Sequence, residues 1–241
     1  MEKYYLFILL ALISEIIGTV SGFGSSILFV PIASLFFDFK SVLGITAVFH
    51  VFSNLSKIYL FRDGIDKKIA LKLGIPAVVF VILGAWLTAY ISVRPLEIIM
   101  SIGLIGISLY MLRNFNHRIR QTNTNLYVGG AASGFLAGLA GTGGAVRGIT
   151  LAAFNLPKTI FIATSAFIDL GVDSSRAAIY LASGYFKREY WILLPFLIGI
   201  SILGSYLGKI ILKYTSEKIF RYLVLIVAMG VSIYQVIKLL L

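Results

Sequence analysis

The chain has 241 residues, 59% hydrophobic and 13% charged, with a mean hydropathy of +0.96, a balance that excludes a water-facing globular surface. Its net charge of +11 would suit nucleic-acid binding in a soluble protein, but the cations lie mostly in short loops between apolar segments, where membrane orientation accounts for them and no nucleic acid is implied. The absence of cysteine excludes disulfides, thiol catalysis and cysteine-ligated metals, and two histidines, His50 and His117, do not make a metal site.

Apolar stretches run over 4–37, 42–61, 69–91, 96–112, 126–156, 158–182, 190–212 and 219–240. Only Lys3 precedes the first as a cation, and no clear small-residue cleavage signal follows, so it is expected to be retained. A helix needs about 20 apolar residues to cross a ~30 Å hydrocarbon layer. Six stretches fit; 4–37 and 126–156 are too long for one untilted crossing. Each is either one long tilted helix or two short helices meeting as a re-entrant hairpin.

The first long stretch carries Glu15 and then GTVSGFGSS from Gly18 to Ser26, with hydroxyls at Ser21, Ser25 and Ser26. The next carries His50, Ser53, Asn54 and Lys57 at three- and four-residue spacing, hence on one helix face. After two further spans, the basic linker with Arg113, Arg118 and Arg120 leads to the second long stretch. There AGLAGTGGA runs from Ala137 to Ala145, including Gly141, Thr142, Gly143 and Gly144, with Arg147 just beyond. The following span places Asp169, Asp173 and Arg176 on one face.

These features recur at an offset of 119 residues, which pairs Gly22 with Gly141, Gly24 with Gly143, His50 with Asp169, Asn54 with Asp173, Lys57 with Arg176 and Pro76 with Pro195. The sequence thus predicts an all-α polytopic membrane protein of two homologous halves. Each half has a glycine-broken first segment plus three spanning helices. The halves are assigned to 1–116 and 126–241, joined by a cytoplasmic basic linker over 117–125. If both broken segments cross, the halves share one orientation and loop cations divide eleven to seven; if both turn back, the halves are inverted and the division is twelve to six. The cation rule leans toward hairpins.

Close helix packing accounts for Gly130, Gly134 and Gly138, four residues apart. It accounts less well for Gly22, Gly24, Gly141, Gly143 and Gly144, where clustered glycines weaken a helix. A break exposes amides and helix N-termini that favour an anion. Charges within spans cost roughly 2.5–3.5 kcal/mol or more at the bilayer centre and are paired or face a polar cavity. Asp169, Asp173 and Arg176 can pair among themselves, whereas Lys57 has no carboxylate on its own helix face. Its partner is Glu15, a carboxylate from the other half, or a substrate. Arg147 either snorkels to the surface or aims a guanidinium at the break. His50 is either a hydrogen-bonding residue or a proton carrier.

Gly22-Phe23-Gly24 followed by an apolar half-helix with Pro31, and Gly141-Thr142-Gly143-Gly144, each leading to a cation-bearing helix, resemble the sulfite exporter TauE/SafE family over nearly the whole chain. The resemblance implies a small prokaryotic inner-membrane carrier of two homologous halves. It further implies transport of sulfite, organosulfonates or related carboxylates, linked to an ion gradient. By motif position it carries over Gly22, Gly24, Gly141, Gly143, Gly144, Lys57, Asp173 and Arg176. Arg147 and Gly148 depart from the apolar residue and proline usual in the family, and Ser25 replaces a glycine.

The functional expectation is a secondary transporter of a small anion by alternating access, with an anion channel through the same pore as the alternative. It is not expected to be an enzyme and needs no cofactor or metal. The expected binding residues are Gly22, Gly24, Ser25, Ser26, Asn54, Lys57, Gly141, Thr142, Gly143, Gly144, Asp173 and Arg176. Glu15, His50, Arg147 and Asp169 are candidates for gating or for coupling to a proton or sodium ion. The sequence does not set the oligomeric state.

Overall fold

A computed structural model of the chain describes residues 2–62, 64–113 and 120–214, with scattered positions between 216 and 237. Linker positions 117–119 and most of the expected last span, 219–240, lie outside the described residues. The described residues are all-α, in the order α1 (Glu2–Ser21), α2 (Ser26–Ala33), α3 (Phe39–Leu60), α4 (Lys67–Leu87), α5 (Val93–Arg113), α6 (Asn123–Ala140), α7 (Gly144–Ala152), α8 (Lys158–Ala182), a 3-10 turn (Arg188–Leu193) and α9 (Leu194–Leu212). Among them, five segments are long and apolar enough to cross a membrane: Tyr4–Ser21, Phe39–Leu60, Lys67–Leu87, Val93–Tyr110 and Arg188–Leu212. α8 is long enough at 25 residues, but Asp169, Asp173 and Arg176 lower its apolar character.

Local chemistry sets the starts of three helices. The side chains of Asp38, Asp66 and Thr122 accept hydrogen bonds from the amides of Ser41, Ile69 and Asn125, at 3.1, 2.9 and 3.2 Å, satisfying donors that a helix N-terminus leaves free. The glycine clusters end α1 and α6. Gly22, Gly24 and Gly141 have φ of 73°, 82° and 75°, a left-handed backbone that costs other residues about 1–2 kcal/mol.

The chain doubles back at both breaks. A methyl group on Gly143 would strike Ser133 and Ala137 of α6, and one on Gly129 would strike Thr150, so α7 runs antiparallel along α6. The Gln121 side chain then reaches the Ala153 carbonyl at 2.7 Å, closing the ends of this hairpin. The first break is alike: Gly18 lies against Ser25, the Phe7 ring is 5.8 Å from Phe29 and 4.9 Å from Phe37, and Tyr4 is 6.4 Å from Phe37. Both long stretches are therefore a helix and a short return helix.

The helices pack as α1 on α9, α4 on α6, and α3 on α8, with α3 also touching α9 and α4 touching α8. Three small residues make the α4–α6 seam a backbone contact: Gly130, Gly134 and Gly138 face Leu73, Ala77 and Val81 respectively. One apolar cluster gathers Phe29, Leu43, Phe49 and Tyr180; another gathers Leu73, Val81, Phe161 and Leu212. Exposed Leu9, Ile75, Val79, Ile82, Trp86 and Ile202 give the outer faces an apolar character. The polar residues are concentrated inside, where α1, α3, α7 and α8 meet.

Candidate functional site

Three acids and three bases meet among these four helices, all buried except Asp169, which is partly exposed. Lys57 Nζ of α3 lies 2.9 Å from Glu15 Oε1 of α1. The partner left open by the sequence is thus Glu15. Ser53 Oγ accepts from Lys57 at 2.8 Å and donates to Glu15 at 2.7 Å. Ser25 and Ser205 also donate to Glu15, at 2.7 and 2.9 Å, and Thr19 at 3.4 Å, so the carboxylate is saturated and fully buried.

Arg176 of α8 holds Asp173 at 2.7 Å through Nε and donates through Nη1 to the carbonyls of Gly141 and Ala137, at 2.9 and 3.2 Å. The Tyr180 hydroxyl, one turn on, donates to the Gly138 carbonyl. Asp173 also accepts from Asn54 Nδ2 at 2.7 Å. Arg147 of α7 pairs with Asp169 and donates to Ser165 at 3.0 Å. Its guanidinium is buried, which settles the snorkelling alternative in favour of an inward side chain.

His50 connects the two sets. Its Nε2 is 3.0 Å from Ser25 Oγ and its Nδ1 is 3.2 Å from Arg176 Nη2. Arg176 can only donate, and Ser25 spends its proton on Glu15, so Nδ1 accepts and Nε2 carries the hydrogen. A continuous hydrogen-bonded chain therefore runs Glu15, Ser25, His50, Arg176, Asp173, Asn54.

A polar cavity of about 330 Å³, counting its mouth, lies against this network, with room at its centre for little more than water. It is lined by Gly24, Ser25, Ser26, His50, Asn54, Lys57, Gly141, Gly143, Gly144, Arg147, Asp169, Asp173 and Arg176. The starts of α2 and α7 both border it, bringing two half-helix N-termini, with their partial positive charge, to one place. A smaller pocket adjoins it, sharing Gly24, Asn54, Lys57 and Asp169 and adding Thr19, Gly22 and Ser165.

Three expected residues lie off the main cavity. Gly22 lines the smaller pocket, Glu15 lies behind Ser25 and Ser53, and Thr142 faces an apolar pocket with Ile99, Met100 and Gly103 of α5. Ser165, Ser205, Thr19 and Tyr180 belong to the network and were not singled out from sequence. The signal for Ser165 was the offset, which pairs it with Thr46; Ser205 reaches Glu15 because Gly204 lets α9 approach α1, a contact with no mark in the sequence. Among the described residues, no group of three His, Asp or Glu is placed to hold a metal ion.

The family profile described as sulfite exporter TauE/SafE matches residues 6–235. A probable membrane transporter protein of Methanocaldococcus jannaschii is 27% identical, over 88% of this chain and 86% of that protein. No solved structure matches the chain.

Proposed function

This chain belongs to the sulfite exporter TauE/SafE family, a multi-pass membrane transporter family, and from that premise we propose that it is a secondary transporter moving a small sulfur-containing or organic anion by alternating access. The observation that carries this reading is the convergence of Lys57, Arg147, Arg176 and two half-helix N-termini on one polar cavity. Oxyanions are met there by guanidinium forks, hydroxyls and amides, none of which needs a metal.

The halves 1–116 and 126–241 act in this reading as an inverted pair. The packing supports it: the 119-residue offset exchanges α1 on α9 with α6 on α4, exchanges α3 on α9 with α8 on α4, and returns α3 on α8 to itself. Hairpins at both breaks leave an odd number of crossings per half. The face with more cations, bearing Lys67, Lys68 and Lys72, is then cytoplasmic, in a prokaryotic inner membrane.

The three buried cations are each already matched by an acid. An arriving anion competes with a carboxylate for its cation and brings one unmatched negative charge into a low-dielectric space. A proton or sodium ion travelling with it restores the balance. In this reading Glu15, Asp169 and His50 are the groups that respond.

Flux of labelled sulfite or an organosulfonate into proteoliposomes tests this. Saturable uptake, accelerated by substrate loaded on the far side and lost in Lys57→Ala and Arg176→Ala proteins that remain folded, is the expected result. Non-saturating flux without such exchange would make the protein a channel; undiminished flux in both variants would remove Lys57 and Arg176 from the site.

A further inference from the structure

The smaller pocket reaches residues whose mates across the 119-residue offset are more deeply buried. Its lining includes Gly22 and Ser165, near Lys57 and Asp169, toward the face where Asp66 meets Thr164 at 3.0 Å. The positions related to these by 119 residues are Gly141, Thr46, Arg176 and His50. Gly22, Gly24 and Asp169 are partly exposed, while their mates Gly141, Gly143 and His50 are buried.

Hydrogen bonds bind α8 to the end of α6 beside these mates. Arg176 is bonded to the carbonyls of Ala137 and Gly141, and Tyr180 to that of Gly138, so α8 is clasped to α6. The first half lacks this clasp: Lys57, the mate of Arg176, turns to Glu15 and Ser53, and Phe61, the mate of Tyr180, has no hydroxyl to offer. Leu43 then fills the space over Gly141, where a methyl group would lie 2.8 Å from its Cδ2.

Thr46 lies on the same helix as His50, one turn earlier. It is 0% exposed and its hydroxyl has no hydrogen-bond partner. Its mate, Ser165, receives Arg147 Nε at 3.0 Å, but the mate of Arg147 is Leu28, which has nothing to donate. A buried hydroxyl left unpaired in one conformation is a cost that another conformation can recover.

We propose that a second vestibule leads from the cavity residues His50 and Gly141 past Thr46 to the face opposite Lys67, held shut here by the Arg176 and Tyr180 clasp on α6, and that the Thr46 hydroxyl binds the anion when this vestibule opens. The proposal rests on the alternating-access reading. It adds the location of the second access path, the bonds that close it and a binding residue that neither cavity contains. Opening breaks the carbonyl bonds of Arg176 and Tyr180, freeing the guanidinium for the anion beside Thr46.

The chain has no cysteine, so single substitutions report directly. Thr46→Cys and Ser165→Cys are reconstituted in vesicles of known orientation and treated with a membrane-impermeant thiol reagent from either face. Ser165→Cys is expected to label from the Lys67 face, and Thr46→Cys to resist it. Adding Tyr180→Phe to Thr46→Cys, with sulfite as the probe anion, should raise labelling from the opposite face at least tenfold. Labelling of Thr46→Cys from the Lys67 face, or none from either face in the Tyr180→Phe background while Ser165→Cys still labels, overturns the proposal. In a parallel flux assay, Thr46→Val should lower uptake about tenfold and Thr46→Ser should retain it; equal flux in both removes Thr46 from the path. Failure of the transport reading is seen separately, as absent flux of every tested anion in the unsubstituted protein, since labelling reads geometry without needing flux.

Discussion

Asn54 donates its amide hydrogen to Asp173 at 2.7 Å across a sequence separation of 119 residues, the same interval that relates the two glycine clusters. In the proposed two-half reading, a residue bonded to its own mate lies where the halves touch. It also ties α3 to α8 at the depth of the cavity. Asn54→Leu keeps the volume and removes the donor, leaving Asp173 Oδ2 short of a partner. A loss of about 1–3 kcal/mol is expected, read as a lower thermal midpoint in detergent, together with reduced anion flux. An unchanged midpoint would mean the bond does not hold the helices together.

The Lys57 and Glu15 pair separates stability from transport. Lys57→Met alone strands a saturated, fully buried carboxylate and should cost about 3–5 kcal/mol. The double substitution Lys57→Met with Glu15→Gln should recover most of that stability. Flux should stay low, because the cavity has still lost a cation. Recovery of flux in the double variant would assign Lys57 a purely structural role.

The hairpin tips admit glycine and little else. Gly141→Ala combines a φ of 75° with a methyl group 2.8 Å from Leu43, and Gly22→Ala combines 73° with one 2.8 Å from Phe161. Each should destabilise by at least about 1–2 kcal/mol from backbone strain. Gly103→Ala, in open space inside α5, is the control and should not lower the thermal midpoint, since alanine favours helix over glycine.

Outside the spans, Asp38 and Lys187 form an exposed pair at 2.8 Å. Burial pushes the Asp38 carboxyl up, but hydrogen bonds from Lys187 and Ser41 outweigh it and hold the group below its usual range. The same contact raises Lys187. The Asp38 contribution is therefore present above its unfolded value near ~3.9 and fades as pH falls through the lower folded value; that of Lys187 is present below ~10.4 and fades as pH rises through the higher one. Both side chains are nearly half exposed, so solvent screening keeps the effect under about 1 kcal/mol. Lys187→Ala should lower the midpoint slightly at pH ~7 and not at all near pH ~2.

The class of fold was legible because composition and segment length are set by lipid, and the breaks were legible because Gly22, Gly24, Gly141 and Gly143 have few other uses in an apolar run. The direction of the chain after each break was not. Loop cations split almost evenly between the two topologies, and the answer lies in contacts such as Gln121 with Ala153 and Phe7 with Phe37. The buried polar cluster that forms the candidate site was legible on α3 and α8, where spacing places charges on one face. It was not legible across helices: Glu15 and Lys57 are 42 residues apart, and Ser205 meets Glu15 only because Gly204 has no side chain. Arg147 was ambiguous in sequence because its depth depends on whether α7 turns inward.

Gly130, Gly134 and Gly138 bring the backbone of α6 against that of α4 with no side chains between them. Such a joint has no slack: turning either rod a few degrees about its long axis drives atoms together. The two must travel as a single plank, whereas at the α1–α9 joint Gly204 and Gly208 of α9 meet chiefly the side chains of Glu15 and Thr19, and Ser205 bonds to Glu15. Main-chain contact on one flank and mostly side-chain contact on the other would make any movement of the bundle lopsided.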